Sequence, residues 1–452
     1  MPVLTKDNAL GLANNITNTI QQIKRNFTDY DRVEKPLLLT YTNGDINEHT
    51  GWGVNSKHIR TKIMTLWEAA FNKGFITEVE FKSGCGYKDT IWKYSYSEAL
   101  KICHLDYLVN KNEKCKAFRL KKAHVISSQN QKGGVGKTCF ATNVSTGLAI
   151  NELDASRVLL IDLDPQGQCK TIFEDTLFSA DTRTASKYLS GYYDDEIDDE
   201  LEWIKTELIR PTGIENLYHI PAMEGDNCLD SFILTLSKTY ELDDLSENDP
   251  DYERLAAHSD YFGENAHRLI YDKLITKLQG EFDFIVIDTS PNNNIVTSSV
   301  TFASDHILSM CLLDAYTRDS TLDAALKLAN DAIEYADERE KDNRTPLSFN
   351  VIVNGKTASN GRKKASDKIL RQYMAACLTE DLGASFLLDS RIPNSSIFTE
   401  LSNTFDTLFT YAGEVKNDTH KNAIEAFTSI LTNLRHDACV KQKVDQYLVD
   451  DF

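Results

Sequence analysis

The stretch that decides the fold reads HVISSQNQKGGVGKTCFATN and spans His124 to Asn143. A short apolar run, typical of a buried strand, leads into a glycine-rich loop, and a helical pattern follows that loop. Glycines allow backbone N–H groups to point inward around a phosphate, and a helix N-terminus behind them favours negative charge. Lys137 would reach the outer phosphates and the Thr138 hydroxyl would hold magnesium. The stretch therefore predicts a phosphate-binding loop.

This loop departs from the ordinary GxxxxGK[ST] pattern, because Gln131 stands where that pattern has its first glycine. A second lysine, Lys132, comes directly before the glycines instead. The predicted nucleotide contacts within the loop are Gly133, Gly134, Val135, Gly136, Lys137, Thr138 and Cys139.

Two later apolar runs end in carboxylates. VLLIDLDPQGQ begins at Val158 and carries Asp162 and Asp164, and FDFIVIDTSPN begins at Phe282 and carries Asp288. Ligands of parallel sheets bind at the carboxyl ends of the strands, where these acids would lie. Such acids can hold magnesium or position an attacking water beside a phosphate loop. The two runs together predict a magnesium-dependent nucleotide hydrolase.

From residue 123 onward, short apolar runs alternate with helical stretches. This alternation predicts an α/β fold with a doubly wound, mostly parallel sheet, and a single ATPase domain over residues 119–452. The apolar runs are 123–127, 158–163, 217–220, 283–288, 306–313, 348–353 and 385–389.

The first part of the chain has a different pattern. Residues 8–27 place apolar side chains at helical spacing, which predicts an N-terminal helix within residues 1–35. Packing on its own unit and formation of a dimer are both open for this helix. Residues 36–118 form the next expected unit.

That second unit has the order of a winged helix-turn-helix. A polar segment and the turn GWGVN (51–55) precede a predicted helix over 56–75, and a strand–turn–strand signal covers 76–82 and 90–97. Such a helix can enter a major groove, although winged folds also serve as protein-binding modules. The basic residues expected on the DNA-facing side are Lys57, Arg60, Lys62 and Lys88.

The net charge of −19 is uneven along the chain. Residues 1–122 hold 19 Lys and Arg against 13 Asp and Glu, a net of +6, which is compatible with a polyanionic partner. Residues 174–260 hold 6 against 23, a net of −17. This stretch is expected to be a solvated acidic insertion in the ATPase domain, and a partner-binding role is open for it.

Cysteine spacing and hydropathy exclude several classes of protein. No two of the 9 cysteines form a CxxC pair, which argues against a zinc ribbon or a cysteine-held cluster and fits a reducing cytosol. The sequence contains no apolar run of about 18 residues, so no membrane span is expected. A cytoplasmic protein is predicted.

The loop from Lys132 to Thr138 resembles the deviant Walker A motif of the ParA/MinD ATPases. VLLIDLDPQGQ and FIVIDTSPN resemble the second and third motifs of the same family, and the likeness covers roughly residues 121–435. The N-terminal layout and the segment Arg391–Phe409 are similar to the large partition ParA proteins, which fuse a winged module to the ATPase.

This resemblance implies a catalytic role for three residues. Lys132 would reach into the partner subunit's nucleotide when two ATP-bound chains form a sandwich dimer. Lys137 would bind the β- and γ-phosphates, and Asp164 would position the hydrolytic water. Because Lys132 would act only in the dimer, hydrolysis would be tied to assembly.

The resemblance also implies metal and base contacts. Thr138 would hold the magnesium ion of Mg–ATP, Asp162 would support its shell of ligands, and Asp288 would be the Walker B acid. Asn354, after a predicted strand, and Pro393 lie where the family contacts the nucleotide base.

The family's ATP dimer binds DNA without sequence preference through basic residues of the ATPase domain. The densest basic stretch of this otherwise acidic domain is NGKTASNGRKKASDKILRQ, and the alternative is that it forms a solvated loop. The candidate contacts in it are Lys356, Arg362, Lys363, Lys364, Lys368 and Arg371.

The resulting prediction is a DNA-partition ATPase that dimerises with ATP, associates with nucleoid DNA and is stimulated by a ParB-type partner. Dimers alone and higher-order filaments on DNA are both open. Repression of its own operon through the winged unit is a second expected activity. The alternative is a nucleotide-responsive, sequence-specific transcriptional regulator with little turnover. A MinD-like membrane cycle is disfavoured because the tail VKQKVDQYLVDDF ends acidic. A reductase of the same family is disfavoured because the chain lacks its cluster cysteines, and an amidoligase would not need a winged unit.

Overall fold

The fold was examined in a computed structural model of the chain. It describes residues 41–84, 93–130, 133–173, 182–223, 228–232, 265–291, 295–311, 315–354, 387–392, 406–410 and 418–442, with residues 372, 398 and 401.

An eight-stranded sheet forms the centre of the larger unit. Its spatial order is β10-β9-β8-β3-β7-β4-β6-β5, and every neighbouring pair is parallel except β5 with β6. The strands are β3 (His124–Gln129), β4 (Val158–Asp162), β5 (Arg210–Pro211), β6 (Leu217–Ile220), β7 (Phe284–Asp288), β8 (His306–Cys311), β9 (Ser348–Asn354) and β10 (Leu387–Ile392).

The seven predicted apolar runs each overlap a strand of this sheet, so the expected doubly wound architecture is confirmed. The runs read as near-continuous apolar stretches because a parallel sheet is buried on both faces. β5 was not predicted. It is two residues long and includes Pro211, which leaves almost no periodic signal.

Helices cover both faces of the sheet and build the smaller N-terminal unit. They are α1 (Asn43–Thr50), α2 (Ser56–Asn72), α3 (Glu78–Ser83), α4 (Tyr96–Asn110), α5 (Lys137–Ile150), α6 (Lys170–Phe173), α7 (Ala185–Leu189), α8 (Glu200–Trp203), α9 (Thr276–Leu278), α10 (Ile295–Ala303), α11 (Ala315–Glu334), α12 (Ala336–Lys341) and α13 (Asp418–Gln442). Helical turns of 3-10 or π type occupy Glu113–Cys115, Asp194–Glu196, Ile204–Leu208, Ala266–Arg268 and Tyr271–Ile275.

Two apolar cores lie on opposite faces of the sheet. Leu160 and Val286 point to one face, where α5 and α13 pack. Their neighbours Leu159 and Ile287 point to the other face, which is covered by α7, α10 and residues 266–278. The alternation follows from the period of two along a strand.

The described part of the acidic stretch belongs to the fold, so the expectation of a solvated insertion is wrong for residues 182–223. Tyr188, Trp203 and Leu208 are buried in the second core, and β6 is a strand of the central sheet. Most carboxylates of these elements are exposed to solvent. The composition of the stretch is therefore acidic, although most of its inward-facing residues are apolar.

The helix predicted at 56–75 is present as α2. Its expected inner face, including Ile59, Ile63 and Leu66, is buried, and Gly74 ends it with a φ of 77°. α1 and the turn at 51–55 precede it, so the helix–turn–helix order is found.

The predicted wing is wrong wherever the structure describes it. Residues 76–82 are not a strand, because a capping box between Thr77 and Glu80 starts helix α3 there. Lys93 and Tyr94 form the short strand β2, but it pairs with β1 (Tyr41–Thr42), and α4 begins at Tyr96. Lys88 and the predicted N-terminal helix at 8–27 lie outside the described residues.

Two tyrosines join the N-terminal unit to the phosphate-loop helix. The Tyr41 hydroxyl donates to the carbonyl of Ile150 at 2.9 Å, and the Tyr96 hydroxyl donates to that of Ala149 at 3.0 Å. Both carbonyls belong to the last turn of α5, where intrahelical donors are lacking. The two hydroxyls therefore cap the C-terminus of α5 from outside the sheet.

Arg435 fixes α13 to the sheet from the buried side of that helix. Its guanidinium ion pairs with Asp154, donates to Leu148 O at 2.6 Å and lies 5.1 Å from the ring centroid of Phe118. Asp154 precedes β4 and Leu148 lies in α5, so one side chain links three segments.

Arg435→Ala should lower the free energy of unfolding by about 3–5 kcal/mol, because it leaves Asp154 and a helix carbonyl buried without their partner. Chemical denaturation of the full chain measures this. Lys421→Ala, an exposed lysine of the same helix, is the control and should change stability by no more than about 0.5 kcal/mol. A loss as small as that of the control would show that Arg435 does not anchor α13.

Candidate active site

The glycine-rich loop turns sharply between β3 and α5. Gly134 and Gly136 have φ values of 73° and 94°, a region that residues with a Cβ rarely adopt. Gly136 immediately precedes α5, and no described side chain caps the helix there. The N-terminus of α5 thus follows the glycine turn directly, which is the arrangement that a phosphate loop requires.

Asn354 holds the underside of this loop. Its side-chain nitrogen donates to Val135 O at 2.7 Å, and a Cβ placed on Gly136 would lie 2.8 Å from the same nitrogen. The end of β9 thus fixes the curvature of the loop. This loop contact was not foreseen for Asn354, for which the sequence suggested a base contact.

Lys137 is buried at the start of α5, with 6% of its surface exposed. Burial lowers the pKa of its ammonium group, while the carboxylates of Asp288 and Asp164 act in the opposite direction. The lysine therefore lies close enough to both acids for their charges to act on it.

The carboxylates of Asp162 and Asp288 meet at the carboxyl edge of the sheet. β4 and β7 are adjacent and parallel, and these two residues are partners in the register. Both side chains are fully buried. Asp164 follows in the turn after β4, and its backbone N–H donates to Asp162 Oδ1 at 3.0 Å.

Cys169 completes this group, although the sequence gave no reason to select it. Its backbone N–H donates to Asp162 Oδ2 at 3.3 Å, and its thiol donates to Asp288 Oδ2 at 3.6 Å. The turn at Gly167, with a φ of 59°, brings the thiol back over the strand ends. Only a prediction of that turn could have found the contact.

Burial is the main cause of the raised pKa values of Asp162 and Asp288. It raises the pKa of Asp162 well above its usual value, and the adjacent Asp288 carboxylate adds to this effect. Burial also raises the pKa of Asp288 to about 6, although the nearby Thr138 hydroxyl and Lys137 ammonium partly offset it. Two neighbouring buried carboxylates favour a cation between them.

The residues fit a divalent cation. Among the described residues no group hydrogen-bonds Oδ1 of Asp288, although this oxygen is buried. Buried oxygens without a hydrogen-bond partner are rare in proteins. Magnesium prefers oxygen ligands, and here a carboxylate oxygen lies near a hydroxyl. Thr138 and Asp288 would hold the ion and Asp162 would support it.

The structure thus brings together Lys137, Thr138, Asp162, Asp164 and Asp288 with the loop glycines. Cys139 lies in the first turn of α5, where burial raises the pKa of its thiol to about 12. Predicted residues outside the described part of the chain are Lys132, Pro393, Lys356, Arg362, Lys363, Lys364, Lys368 and Arg371.

The predicted DNA-facing side of α2 is described in part. Arg60 and Lys62 are half-buried, and the Lys62 ammonium lies 4.9 Å from the ring centroid of Trp52. Lys62 is therefore engaged with the turn that precedes α2. The side chain of Lys57 is not among those described.

Asp288→Asn should stabilise the nucleotide-free chain at neutral pH by up to about 3 kcal/mol, since a pKa raised from 3.8 to about 6 means that the ionised form is disfavoured in the fold. The gain should shrink as the pH falls through about 6 towards 3.8, where the wild-type carboxyl is protonated in the folded state. Denaturation midpoints measured across this pH range test it.

Asp195→Asn, at an exposed carboxylate, is the matched control and should change stability little at any pH. A gain for Asp288→Asn that does not vary with pH would show that a buried charge is not its source.

Comparison with known proteins agrees with this geometry. Residues 123–328 match a family model described as an AAA domain. The chromosome partitioning protein ParA of Caulobacter vibrioides is 57% identical over 47 residues, 10% of this chain and 16% of that protein. The plasmid partition protein A of Escherichia coli is 27% identical over 319 residues, 68% of this chain and 69% of that protein.

The alignment with the Caulobacter relative spans less than a fifth of that protein. A solved structure of a partition protein is 16% identical and covers 95% of this chain and 98% of its own, with a TM-score of 0.53. At that identity the likeness is one of fold. Among the described helices, none is long and apolar enough to cross a membrane. The chain is therefore similar in part of its sequence to two partition proteins and similar in fold to a third.

Proposed function

We propose that the chain is a DNA-partition ATPase that hydrolyses ATP to ADP and phosphate with magnesium. It dimerises around ATP, binds DNA without sequence preference in that state and responds to a ParB-type partner that stimulates hydrolysis. The observation that carries this proposal is the buried pair Asp162 and Asp288 next to Lys137, which begins the helix after the glycine turn. A simple nucleotide sensor would not need a full set of carboxylates.

Each residue of the site has a distinct part in the proposed reaction. The N–H groups at the start of α5 and the Lys137 ammonium bind the β- and γ-phosphates and stabilise the charge that develops during transfer. Asp164 orients the attacking water. When bound, magnesium neutralises phosphate charge, with Thr138 and Asp288 as the groups that would hold it.

The burial of these groups serves the same chemistry. Charges act more strongly where water is excluded, and the carboxylates are already held by Cys169 and by the backbone of Asp164. Little reorganisation is then needed when the nucleotide binds.

Lys132 is proposed to act in the partner subunit's site. A lysine supplied in trans completes the charge stabilisation only in the dimer, so a single chain turns over slowly. This makes dimerisation the point at which hydrolysis is controlled.

Lys132→Ala should abolish ATP-dependent dimerisation while a single chain still binds nucleotide. Sedimentation or light scattering with a non-hydrolysable ATP analogue measures the first property, and a fluorescent analogue measures the second. Lys121→Ala, at an exposed lysine before β3, is the control and should dimerise normally. Normal dimerisation of Lys132→Ala would refute the proposed role.

DNA binding is proposed to use the basic stretch at 356–371. Contacts of lysine and arginine with phosphates release counterions, so affinity should fall steeply with salt. Anisotropy with random-sequence duplex DNA, in ATP, in ADP and without nucleotide, tests the whole proposal. Tight, salt-sensitive binding in ATP alone supports it.

The variant Arg362→Ala, Lys363→Ala, Lys364→Ala should lose binding to random DNA at moderate salt and keep its affinity for nucleotide. A control with the same loss of charge replaces Lys121, Lys341 and Lys421, which are exposed on the described surface. Equal DNA affinity of the first variant and wild type would rule the basic stretch out.

A second candidate function is a nucleotide-responsive transcriptional regulator. The helix–turn–helix order of α1 and α2, with Arg60 on α2, favours it as an additional or alternative activity such as repression of its own operon. Binding that ignores nucleotide, or that is confined to one DNA sequence, would favour this reading. The site would then serve as a sensor.

A further inference from the structure

Three potential metal ligands of different elements converge beside the loop. The side-chain ligand atoms of Asp162, Cys169 and Asp288 all lie within 4.8 Å of one another, and all three residues are fully buried. They come from the end of β4, the turn after it and the end of β7. The proposed ATPase role uses the two carboxylates as metal-binding groups and gives the thiol no contact with nucleotide or metal.

The thiol is directed into the carboxylate pair. Its sulfur lies 3.6 Å from Asp288 Oδ2, while the backbone N–H of Cys169 fixes Asp162 Oδ2. The other oxygen of Asp288, Oδ1, is buried without a hydrogen-bond partner among the described residues. A buried carboxylate oxygen without a hydrogen-bond donor is costly to the fold, and its position beside a thiol suits a cation.

The donor set selects a class of cation. Magnesium takes oxygen ligands and gains nothing from sulfur, whereas one thiolate with two carboxylates suits a thiophilic divalent ion of tetrahedral preference. We propose that Asp162, Cys169 and Asp288 form a binding site for a thiophilic divalent cation such as Zn²⁺ in the nucleotide-free chain. Binding replaces the thiol proton, which is released to solvent, and no oxidation or reduction takes place.

The consequence for activity rests on the proposed function. An ion held by Asp288 and Asp162 occupies the two carboxylates that Mg–ATP needs, so the thiophilic ion and the magnesium nucleotide should compete. The chain would then be held in an inactive state by traces of such metals.

A second cluster of ligands is a weaker candidate for the same role. His124, His306 and Asp437 meet at the opposite edge of the sheet. Oδ2 of Asp437 lies 3.1 Å from the Lys441 ammonium and 2.9 Å from His306 Nδ1. A cation would have to displace that ammonium, which already neutralises the carboxylate of Asp437.

The test is a cadmium titration of the metal-free, reduced full chain without nucleotide, read by the ultraviolet thiolate-to-cadmium band and by proton release. Wild type should bind one more Cd²⁺ than Cys169→Ser, which keeps the size and the hydrogen bond of the side chain. Asp162→Asn should weaken that additional binding at least about tenfold, since it removes one charged ligand.

Cys439→Ser removes a thiol on α13 outside the cluster and should retain the additional Cd²⁺. Equal stoichiometry and equal proton release for wild type and Cys169→Ser would overturn the proposal. So would an additional ion that Mg²⁺ with an ATP analogue does not displace. Binding of a fluorescent ATP analogue to the wild-type chain without cadmium tests the proposed function separately.

Discussion

Two carboxylates buried side by side set the conditions for the rest of the site. Asp162 and Asp288 are register partners on adjacent parallel strands, so the sheet itself holds their charges together. Burial raises the pKa of both groups, which means that ionising them weakens the empty fold. The Lys137 ammonium, the Thr138 hydroxyl and the Cys169 thiol surround them and reduce that cost. A cation would relieve it, which agrees with the proposed binding of a magnesium nucleotide.

The central sheet could be predicted because buried parallel strands appear as apolar runs with a polar residue at the end. The edge strand β5 could not be predicted, since it is too short to show a pattern. At 76–82 the apparent alternation of a strand competed with the capping box of Thr77 and Glu80, and the capping box decided the outcome. Within 182–223 the net negative charge led to the prediction of a solvated insertion, although Trp203 and Leu208 are buried. Composition does not record which face of an element a residue occupies.

The candidate site was predicted as far as its residues lie at strand ends or in the loop. Lys137, Asp164 and Asp288 are in the expected places, and Asn354 adds a contact to the loop that the family likeness did not suggest. Cys169 escaped detection because its position depends on the turn at Gly167. That turn needs a positive φ and passes close to the carbonyl of Ala222, a long-range contact that local sequence does not specify.

Helix α5 has a second consequence through its length. Its first turn belongs to the proposed phosphate site, and its last two carbonyls accept hydrogen bonds from the hydroxyls of Tyr96 and Tyr41. A helix of 14 residues is about 21 Å long and behaves as a stiff rod at that length. Since closely packed interiors transmit small shifts, an axial displacement at the loop reaches both tyrosines together. One continuous helix therefore joins the proposed nucleotide site to the N-terminal helices, and two hydrogen bonds hold its far end.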